Sequence, residues 1–267
     1  MCYKCFWPQS LCWCGSITPM PTRTKFVILM HPYEFKRIKA NTGRLTHLCL
    51  ADSELHVGIG FDDHAAVQAL INDPRNYPVL LYPSRDALDL SVAGSVERGA
   101  GSQTDSSGSQ LTTLRFQLES RRLVVFLLDA TWRLVRPMLR TSLSLQRLPK
   151  IMFSHAAPSR YVIKRQPEPG CLSTLEAVHE LLLALDRSGL DRYALPEQLL
   201  GLFQRMQDFQ ISRTAENRRL GIGRHARRDP AGSPRPAPRP LSKRRRIFRT
   251  APPGPGQPSS GSPAPGA

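Results

Sequence analysis

Apolar runs of strand length alternate with segments of helical periodicity along most of this 267-residue chain. Short runs rich in β-branched or aromatic residues predict four strands, at 26–30, 79–82, 123–128 and 151–153. Apolar positions spaced three and four residues apart predict five helices, at 33–40, 65–71, 131–139, 173–185 and 196–209. Because strands alternate with helices, we expect an α/β fold with a mainly parallel sheet and helices on both of its faces.

Polar residues follow the most apolar of these runs, at the point where the predicted strand ends. The run 123–128 is followed by Asp129, Thr131 and Trp132. Open α/β sheets bind ligands in the crevice beyond the carboxyl ends of their strands, so these side chains predict a ligand pocket. Asp129 is the candidate catalytic acid, with capping of the following helix as the competing interpretation. Thr131 is a candidate hydrogen-bonding group, and Trp132 is interpreted either as a stacking platform or as core packing.

Four cysteines stand close together at the N-terminus: Cys2, Cys5, Cys12 and Cys14. Thiolates at this spacing are a ligand set for tetrahedral zinc, which can stabilise a segment too small for its own core. Four cysteine ligands would leave no open position, so this zinc would be structural. Redox-active thiols, disulfides or a metal-free cluster are the alternatives, and disulfides are rare in the cytosol.

Composition predicts three parts of unequal character. Residues 1–20 hold the cysteines, and 21–212 carry the alternating pattern of one folded domain, for which the 40% hydrophobic content is sufficient. Residues 91–110 are rich in Gly and Ser, and we expect a mobile insert there. Residues 213–267 are rich in Pro and Arg, with thirteen basic residues against two acidic ones, and we expect a disordered tail.

The positive charge indicates the class of partner. The tail carries +11 of the net charge of +16, and the remainder of the chain is also basic. Basic surfaces attract polyanions and bind phosphates with release of counterions, so a nucleic acid is favoured. A merely solubilising role is the alternative for the tail. Neither a membrane-spanning run nor the pattern of a signal peptide is present, so we expect a cytoplasmic protein without membrane partners; its oligomeric state is not predicted.

Hydroxyl, acidic and basic residues cluster around the start of the helix predicted at 173–185. Ser173 and Glu176 have the spacing of a capping box, and with Thr174 they open a helix whose amides suit a carboxylate ligand. Glu176 is therefore either a second acid of the site or only the capping partner. Three basic residues upstream suit a carboxylate or an RNA phosphate, or are solvated surface charges: Arg160, Lys164 and Arg165.

Three segments nearer the N-terminus also follow strands or form turns. Pro83 follows the second predicted strand, where residues that line a cofactor are expected. His31 follows the first strand and is interpreted as a substrate ligand or as a structural hydrogen-bonding group. The stretch from Asn41 to Arg44 predicts a turn, in which Gly43 would permit a positive φ.

In their order along the chain, these motifs resemble those of the DTW-domain family, the tRNA-uridine aminocarboxypropyltransferases. The resemblance extends from Cys2 to about Phe209 and excludes the basic tail. Its segments are the four cysteines, His31-Pro32-x-Glu34, Asn41-Thr42-Gly43-Arg44-Leu45, Leu81-Tyr82-Pro83, Asp129-x-Thr131-Trp132, Lys164-Arg165-Gln166-Pro167 and Leu172-Ser173-Thr174-x-Glu176-Ala177.

The resemblance implies a SPOUT-like knotted fold over 21–212 and a specific transfer reaction. S-adenosylmethionine would donate its 3-amino-3-carboxypropyl group to N3 of a tRNA uridine, and methylthioadenosine would be released. The implied roles are catalysis for Asp129, Thr131, Trp132 and Glu176; S-adenosylmethionine binding for Pro83, Asp129, Ser173, Thr174 and Arg165; RNA binding for Arg44, Arg160 and Lys164; and zinc binding for Cys2, Cys5, Cys12 and Cys14.

Two other functions remain open from the residues alone. A SPOUT-type RNA methyltransferase would use the same donor and a similar fold, and would differ only in the carbon presented to the nucleophile. A non-catalytic, zinc-containing RNA-binding protein would account for the charge and the cysteines, but it would give no role to the acids at the strand ends.

Overall fold

The computed structural model describes residues 1–7, 9–38, 41–92, 106–153, 158–163 and 171–221. The chain divides into two compact units, Met1–Glu216 and Asn217–Ala267. Almost all described residues belong to the first unit, and the site and core described below lie in it. Most of the predicted insert, at 93–105, and most of the predicted tail, from 222 onward, lie outside the described residues. The three-part division of the chain therefore stays a prediction.

A six-stranded sheet with only parallel pairings forms the centre of this unit. Its spatial order is β2-β1-β5-β3-β6-β4. The central strands β1 and β5 are almost continuously apolar because both faces of the sheet are covered. The strands are β1 (Lys25–Met30), β2 (Ser53–Val57), β3 (Asn76–Leu81), β4 (Leu88–Asp89), β5 (Arg122–Asp129) and β6 (Lys150–Met152).

Helices pack on both faces of the sheet, so alternate residues of a strand enter different cores. Val125 of β5 belongs to a core with Leu45 and Leu181, whereas its neighbour Phe126 belongs to a second core with Met138. This arrangement confirms the predicted α/β class with a parallel sheet. The helices are α1 (Pro32–Arg37), α2 (Thr42–Cys49), α3 (Ala65–Asn72), α4 (Ser106–Leu118), α5 (Trp132–Arg140), α6 (Leu143–Gln146), α7 (Thr174–Arg187) and α8 (Pro196–Arg219).

The structure corrects the sequence analysis at several elements. The stretch predicted as a turn is the beginning of α2, where the side chain of Asn41 accepts a hydrogen bond from Arg44 N at 2.9 Å and caps the helix. Helix α4 begins inside the range predicted as an insert. Strands β2 and β4, at the two edges of the sheet, were not predicted because their residues are mixed in polarity.

In the described part of the chain, no helix is long and apolar enough to span a bilayer.

Candidate functional site

Asp129 is the last residue of β5 and lies buried at the carboxyl end of the sheet, only 5% exposed. Thr174 Oγ1, in the first turn of α7, donates a hydrogen bond to Asp129 Oδ1 at 2.6 Å. The first turn of α2 approaches the same carboxylate from Gly43. The positive ends of two helix dipoles thus face one carboxylate and stabilise its negative charge. Asp129 is not the N-cap of the following helix; Thr131 occupies that position in α5.

Gly43 is required by this approach rather than by its backbone conformation. It lies within α2 and is not among the glycines with positive φ in the described part of the chain, so the predicted turn is wrong and the positive φ that Gly43 permits is not used. A Cβ at this position would lie 2.5 Å from Asp129 Oδ2 and 2.6 Å from its Cγ. Real Cβ atoms do not approach so closely, so any side chain here would displace α2 or the carboxylate.

Arg44, the next residue of α2, is buried between two aromatic rings. Its Cζ lies 4.4 Å from the ring centroid of Phe6 and 4.8 Å from that of Phe35, and its Nη2 donates to Phe35 O at 3.3 Å. Burial lowers the pKa of Arg44, whereas the attraction of Asp129 opposes this shift. Arg44 is only 4% exposed, which argues against the RNA contact predicted for it. Its charge instead contributes to the surroundings of Asp129.

Glu176 is buried at the start of α7 and is surrounded by hydrogen-bond donors. Its carboxylate accepts bonds from Arg160 N at 2.6 Å, from Ser173 N at 2.9 Å and from the hydroxyls of Ser159 and Ser173. The capping box with Ser173 is present, as the spacing predicted. These bonds tie the segment 158–163 to α7, and they support the interpretation of Glu176 as the capping partner of Ser173.

Tyr161 lies near three buried acids, which sequence reasoning did not bring together. The acids are Glu34 in α1, Asp129 and Glu176, exposed by 2%, 5% and 4%. Burial, followed by the negative charges of these acids, raises the pKa of Tyr161 to about 12. Its ring packs against Phe203 at 5.0 Å between centroids. The motif His31-Pro32-x-Glu34 contained this glutamate, but only the fold places that acid near the end of β5.

Thr131 and Trp132 lie near the surface, at the start of α5. Thr131 is exposed, and its side chain makes no capping hydrogen bond. Trp132 is 37% exposed, and its ring centroid lies 6.5 Å from that of Tyr82. Trp132 is therefore not core packing, and part of its ring is accessible to a base. Pro83 is exposed next to Tyr82, just beyond the end of β3.

The remaining predicted residues fall into different environments. His31 caps α1, with its Nδ1 accepting a hydrogen bond from Tyr33 N at 3.0 Å, which supports the structural interpretation. Arg160 is exposed beside Glu176 and suits a phosphate or carboxylate. Lys164 and Arg165 lie outside the described residues.

The four N-terminal cysteines form one cluster, with all Sγ atoms within 4.8 Å of one another. Cys2 Sγ lies 3.8 Å from Cys14 Sγ, and Cys5 Sγ lies 3.7 Å from Cys12 Sγ. A tetrahedral site with Zn–S bonds of about 2.3 Å has sulfur–sulfur edges of about 3.8 Å, so the donor set fits zinc. Hydrogen bonds from the backbone at Cys5 and Lys4 lower the pKa of Cys2 to about 6, whereas burial raises the pKa values of Cys5 and Cys14.

Comparison with known proteins adds evidence that is independent of this geometry. The family model described as the DTW domain matches residues 1–211. No solved structure matches this chain.

Several curated proteins are similar to the chain. The tRNA-uridine aminocarboxypropyltransferase 2 of Drosophila melanogaster is 31% identical over 192 residues, which are 69% of this chain and 66% of that protein. The Mus musculus protein of the same name is 28% identical over 224 residues, 81% of this chain and 65% of that protein. The chain thus spans slightly less than two thirds of these two relatives. The tRNA-uridine aminocarboxypropyltransferase A of Arabidopsis thaliana is 24% identical over 79% of this chain and 80% of that protein.

Proposed function

Because the chain belongs to the DTW-domain family, we propose that it is a tRNA-uridine aminocarboxypropyltransferase. The reaction would transfer the 3-amino-3-carboxypropyl group of S-adenosylmethionine to N3 of a tRNA uridine. The structural observation that carries the proposal is the burial of Asp129 at the carboxyl end of β5, between the first turns of α2 and α7. Parallel α/β sheets place their ligands at this edge.

The charges around Asp129 fit the proposed donor. Three buried acids, Glu34, Asp129 and Glu176, stand against one buried arginine, Arg44, so the excess of acidic groups at this end of the sheet suits a cationic ligand. S-adenosylmethionine carries a sulfonium and an α-ammonium group, and when bound it supplies an electrophilic carbon to the nucleophile. Which carbon reacts is a matter of orientation, so rigid placement of these acids matters for selectivity.

We assign to Asp129 the role of accepting the proton of the uridine N3. N3 must lose its proton when it forms the new bond to carbon, and a carboxylate positioned beside it accepts that proton. Thr174 fixes the orientation of the carboxylate through its bond to Oδ1. Trp132 offers an accessible ring on which adenine or uracil can stack, and Thr131 and Pro83 lie near it at the same edge of the sheet.

The proposal also includes the other roles predicted from the sequence, and the support for each of them differs. Arg160 is exposed and suits tRNA phosphate, and we retain Lys164 and Arg165 as basic contacts on the resemblance alone. Glu176 and Ser173 support the site through their hydrogen bonds, and a direct catalytic role for Glu176 is an additional proposal. Structural zinc on the four cysteines is supported by their spacing. The SPOUT-like knot and the cytoplasmic location are proposed from the family resemblance and the sequence.

Nucleoside mass spectrometry tests the function directly. Unmodified tRNA is incubated with the full chain and S-adenosylmethionine, then digested to nucleosides. We expect the aminocarboxypropyl mass increment on uridine and an equal amount of methylthioadenosine. A methyl increment with S-adenosylhomocysteine would identify a methyltransferase instead. No increment on any tRNA, despite tRNA binding, would leave the RNA-binding function and overturn the proposed transfer.

A further inference from the structure

An aromatic contact joins the cysteine cluster to the site around Asp129. Phe6 directly follows Cys5, and its ring lies 4.4 Å from the guanidinium carbon of Arg44. Arg44 follows Gly43, whose Cα approaches the Asp129 carboxylate so closely that no Cβ fits between them. The chain of contacts from the cysteines to the candidate catalytic acid therefore passes through two side chains.

The backbone of Phe6 indicates that its ring has a specific use. Phe6 has a φ of 59°, the only positive φ of a non-glycine residue in the described part of the chain. Glycine adopts this conformation without steric cost, whereas a residue with a Cβ is disfavoured in it. The turn is closed by bonds from Phe6 N to Cys2 O at 2.9 Å and from Cys2 N to Trp7 O at 2.7 Å. The cysteine turn alone would thus favour glycine, and the aromatic ring serves a contact outside the turn.

The position of the Arg44 guanidinium depends strongly on the two aromatic rings that enclose it. Its Nε has no hydrogen-bond partner in the part of the chain that the structure describes, and Nη2 makes a single long bond of 3.3 Å to Phe35 O. The two aromatic faces and the charge of Asp129 therefore hold most of the guanidinium. Movement of Phe6 would free one face of the guanidinium and change its position relative to Asp129.

We propose that the metal-loaded cysteine cluster holds Arg44 in place through Phe6, and that Phe6 and Arg44 are positioning residues for Asp129. The mechanical coupling stands on the contacts alone. Its effect on transfer rests on the proposed function.

Hydrogen exchange of α2 tests the coupling without reference to activity. The full zinc-loaded chain, its Phe6→Gly and Phe6→Tyr variants, and each protein after treatment with a chelator are compared. Removal of zinc from the wild type should accelerate exchange of the α2 amides about tenfold. The Phe6→Gly variant should exchange this fast with zinc still bound, whereas Phe6→Tyr should behave as the wild type. Slow exchange of α2 in zinc-loaded Phe6→Gly would overturn the coupling.

Zinc affinity and kinetics separate a positioning role from a merely structural one. Because glycine tolerates the turn, Phe6→Gly should bind Zn²⁺ as tightly as the wild type; weaker binding would mean that the ring serves the cluster itself and would overturn the proposal. In the transfer assay, kcat of Phe6→Gly should fall about tenfold with KM for tRNA unchanged, and Phe6→Tyr should restore it. If the wild type itself performs no transfer, the proposed function fails while the exchange experiment still decides the coupling.

A second inference rests on a groove at the opposite end of the sheet. The groove has a volume of about 440 Å³ and lies beside the start of β5. Glu119 is part of its lining. Four arginines also line it: Arg23, Arg115, Arg121 and Arg122. The positive charge is thus in excess within the groove.

Contacts with the protein hold three of these arginines in place. Arg122 Nε donates to Arg23 O at 2.7 Å, and Arg122 also pairs with Asp52. Arg115 Nη2 donates to Ser188 O at 3.0 Å, and Arg121 lies 5.1 Å from the ring centroid of Tyr77. Guanidinium groups held in this way lose less entropy when they bind an oxyanion, and they match phosphate geometry.

The position of the groove indicates a long ligand. Asp129 lies at the other end of β5, seven residues from Arg122, which places it about 23 Å away at a rise of about 3.3 Å per residue. We infer that the groove binds backbone phosphates of the RNA, remote from the reacting nucleotide. That this RNA is a tRNA substrate rests on the proposed function.

Binding measurements as a function of salt test the groove. The Arg115→Ala and Arg121→Ala variants should each bind tRNA more weakly, about tenfold for the double variant, and each should flatten the salt dependence by nearly one released counterion. Arg213→Ala, which removes one charge from an exposed position on α8, is the control and should have a smaller effect. Equal losses in the control would overturn RNA binding by the groove. Transfer activity is not needed for this result.

Discussion

At the carboxyl end of the parallel sheet the charged groups are buried and held by the protein, whereas at the amino end they line an open groove. Asp129 is 5% exposed and lies near a buried arginine, while Arg122 at the other end of β5 is exposed. Electrostatic interactions are strong where water is excluded and weak where it is present. Under the proposed function, one strand would separate two tasks: chemistry at its carboxyl end, and attraction of a polyanion at its amino end.

Removal of the acid at the carboxyl end should have the largest effect. Asp129→Asn keeps the shape of the side chain but cannot accept the proton of N3, so we expect the transfer rate to fall about 10²- to 10⁴-fold. Binding of tRNA should be unchanged, because the groove at the amino end is intact. Single-turnover transfer and tRNA binding are measured on the same preparation. Asp208→Asn, an exposed acid on α8, is the control, and full activity of Asp129→Asn would refute its catalytic assignment.

The second largest effect is expected from a single methyl group added at Gly43, at the carboxyl end of the sheet. Gly43→Ala would place a Cβ 2.5 Å from Asp129 Oδ2, so α2 or the carboxylate must move. We expect a loss of about 1–3 kcal/mol in the free energy of unfolding, as for overpacked cores. The transfer rate should fall about 10²-fold, because a displacement near 1 Å has this effect on aligned groups.

Helix α8 offers a matched control for this substitution. A Cβ at Gly201 would meet no atom within 4 Å, and alanine favours helices by about 1 kcal/mol over glycine. Gly201→Ala should therefore be neutral or stabilising in chemical denaturation. If Gly43→Ala is tolerated equally well, the close approach of α2 to Asp129 is not a constraint.

The smallest expected effect is on the free energy of unfolding at alkaline pH, and it arises from the ionisation of Tyr161. The pKa of Tyr161 is raised to about 12 from an ordinary value of 10, so between these values the unfolded chain loses this proton first. Stability should therefore fall as the pH rises from about 10 to about 12, with a contribution of at most about 1.4 kcal/mol per pH unit. Tyr161→Phe should remove this contribution.

Urea unfolding across this pH range measures the effect. Tyr33 is 53% exposed, and Tyr33→Phe should leave the pH dependence of stability as it is in the wild type. Identical pH profiles for Tyr161→Phe and the wild type would show that burial and the three acids do not raise the pKa of Tyr161.

Buried apolar runs explain why much of the fold was predictable. β1 and β5 are apolar on both faces because helices cover both, and such runs are recognisable without knowledge of their partners. The Ser173–Glu176 capping box was equally local, since all its bonds join residues three apart. α2 was missed because Asn41, Thr42 and Gly43 favour turns when considered alone. The cap and the packing of Leu45 in the core override this preference.

The candidate site was predictable in its members but not in their arrangement. Asp129 was identified from its position after an apolar strand, and the cysteine cluster from its spacing. Arg44 was expected near RNA, yet it is enclosed by rings from two distant segments. Trp132 was compatible with core and surface alike, and only the packing of α5 left it partly exposed. Tyr161 has no pattern of its own that marks it, and Glu34 belonged to a motif in which it was given no role.

The sequence by itself determined the four inner strands, most helices, the zinc-type cysteine spacing and the acid at the end of β5, because periodicity, capping and ligand spacing are local properties. Only the tertiary structure decided that Gly43 must lack a side chain, that Arg44 is buried and interacts with Asp129, and that three buried acids act on Tyr161. These features arise where α1, α2, α7 and β5 converge. Their energies depend on distance and burial, which no local pattern encodes.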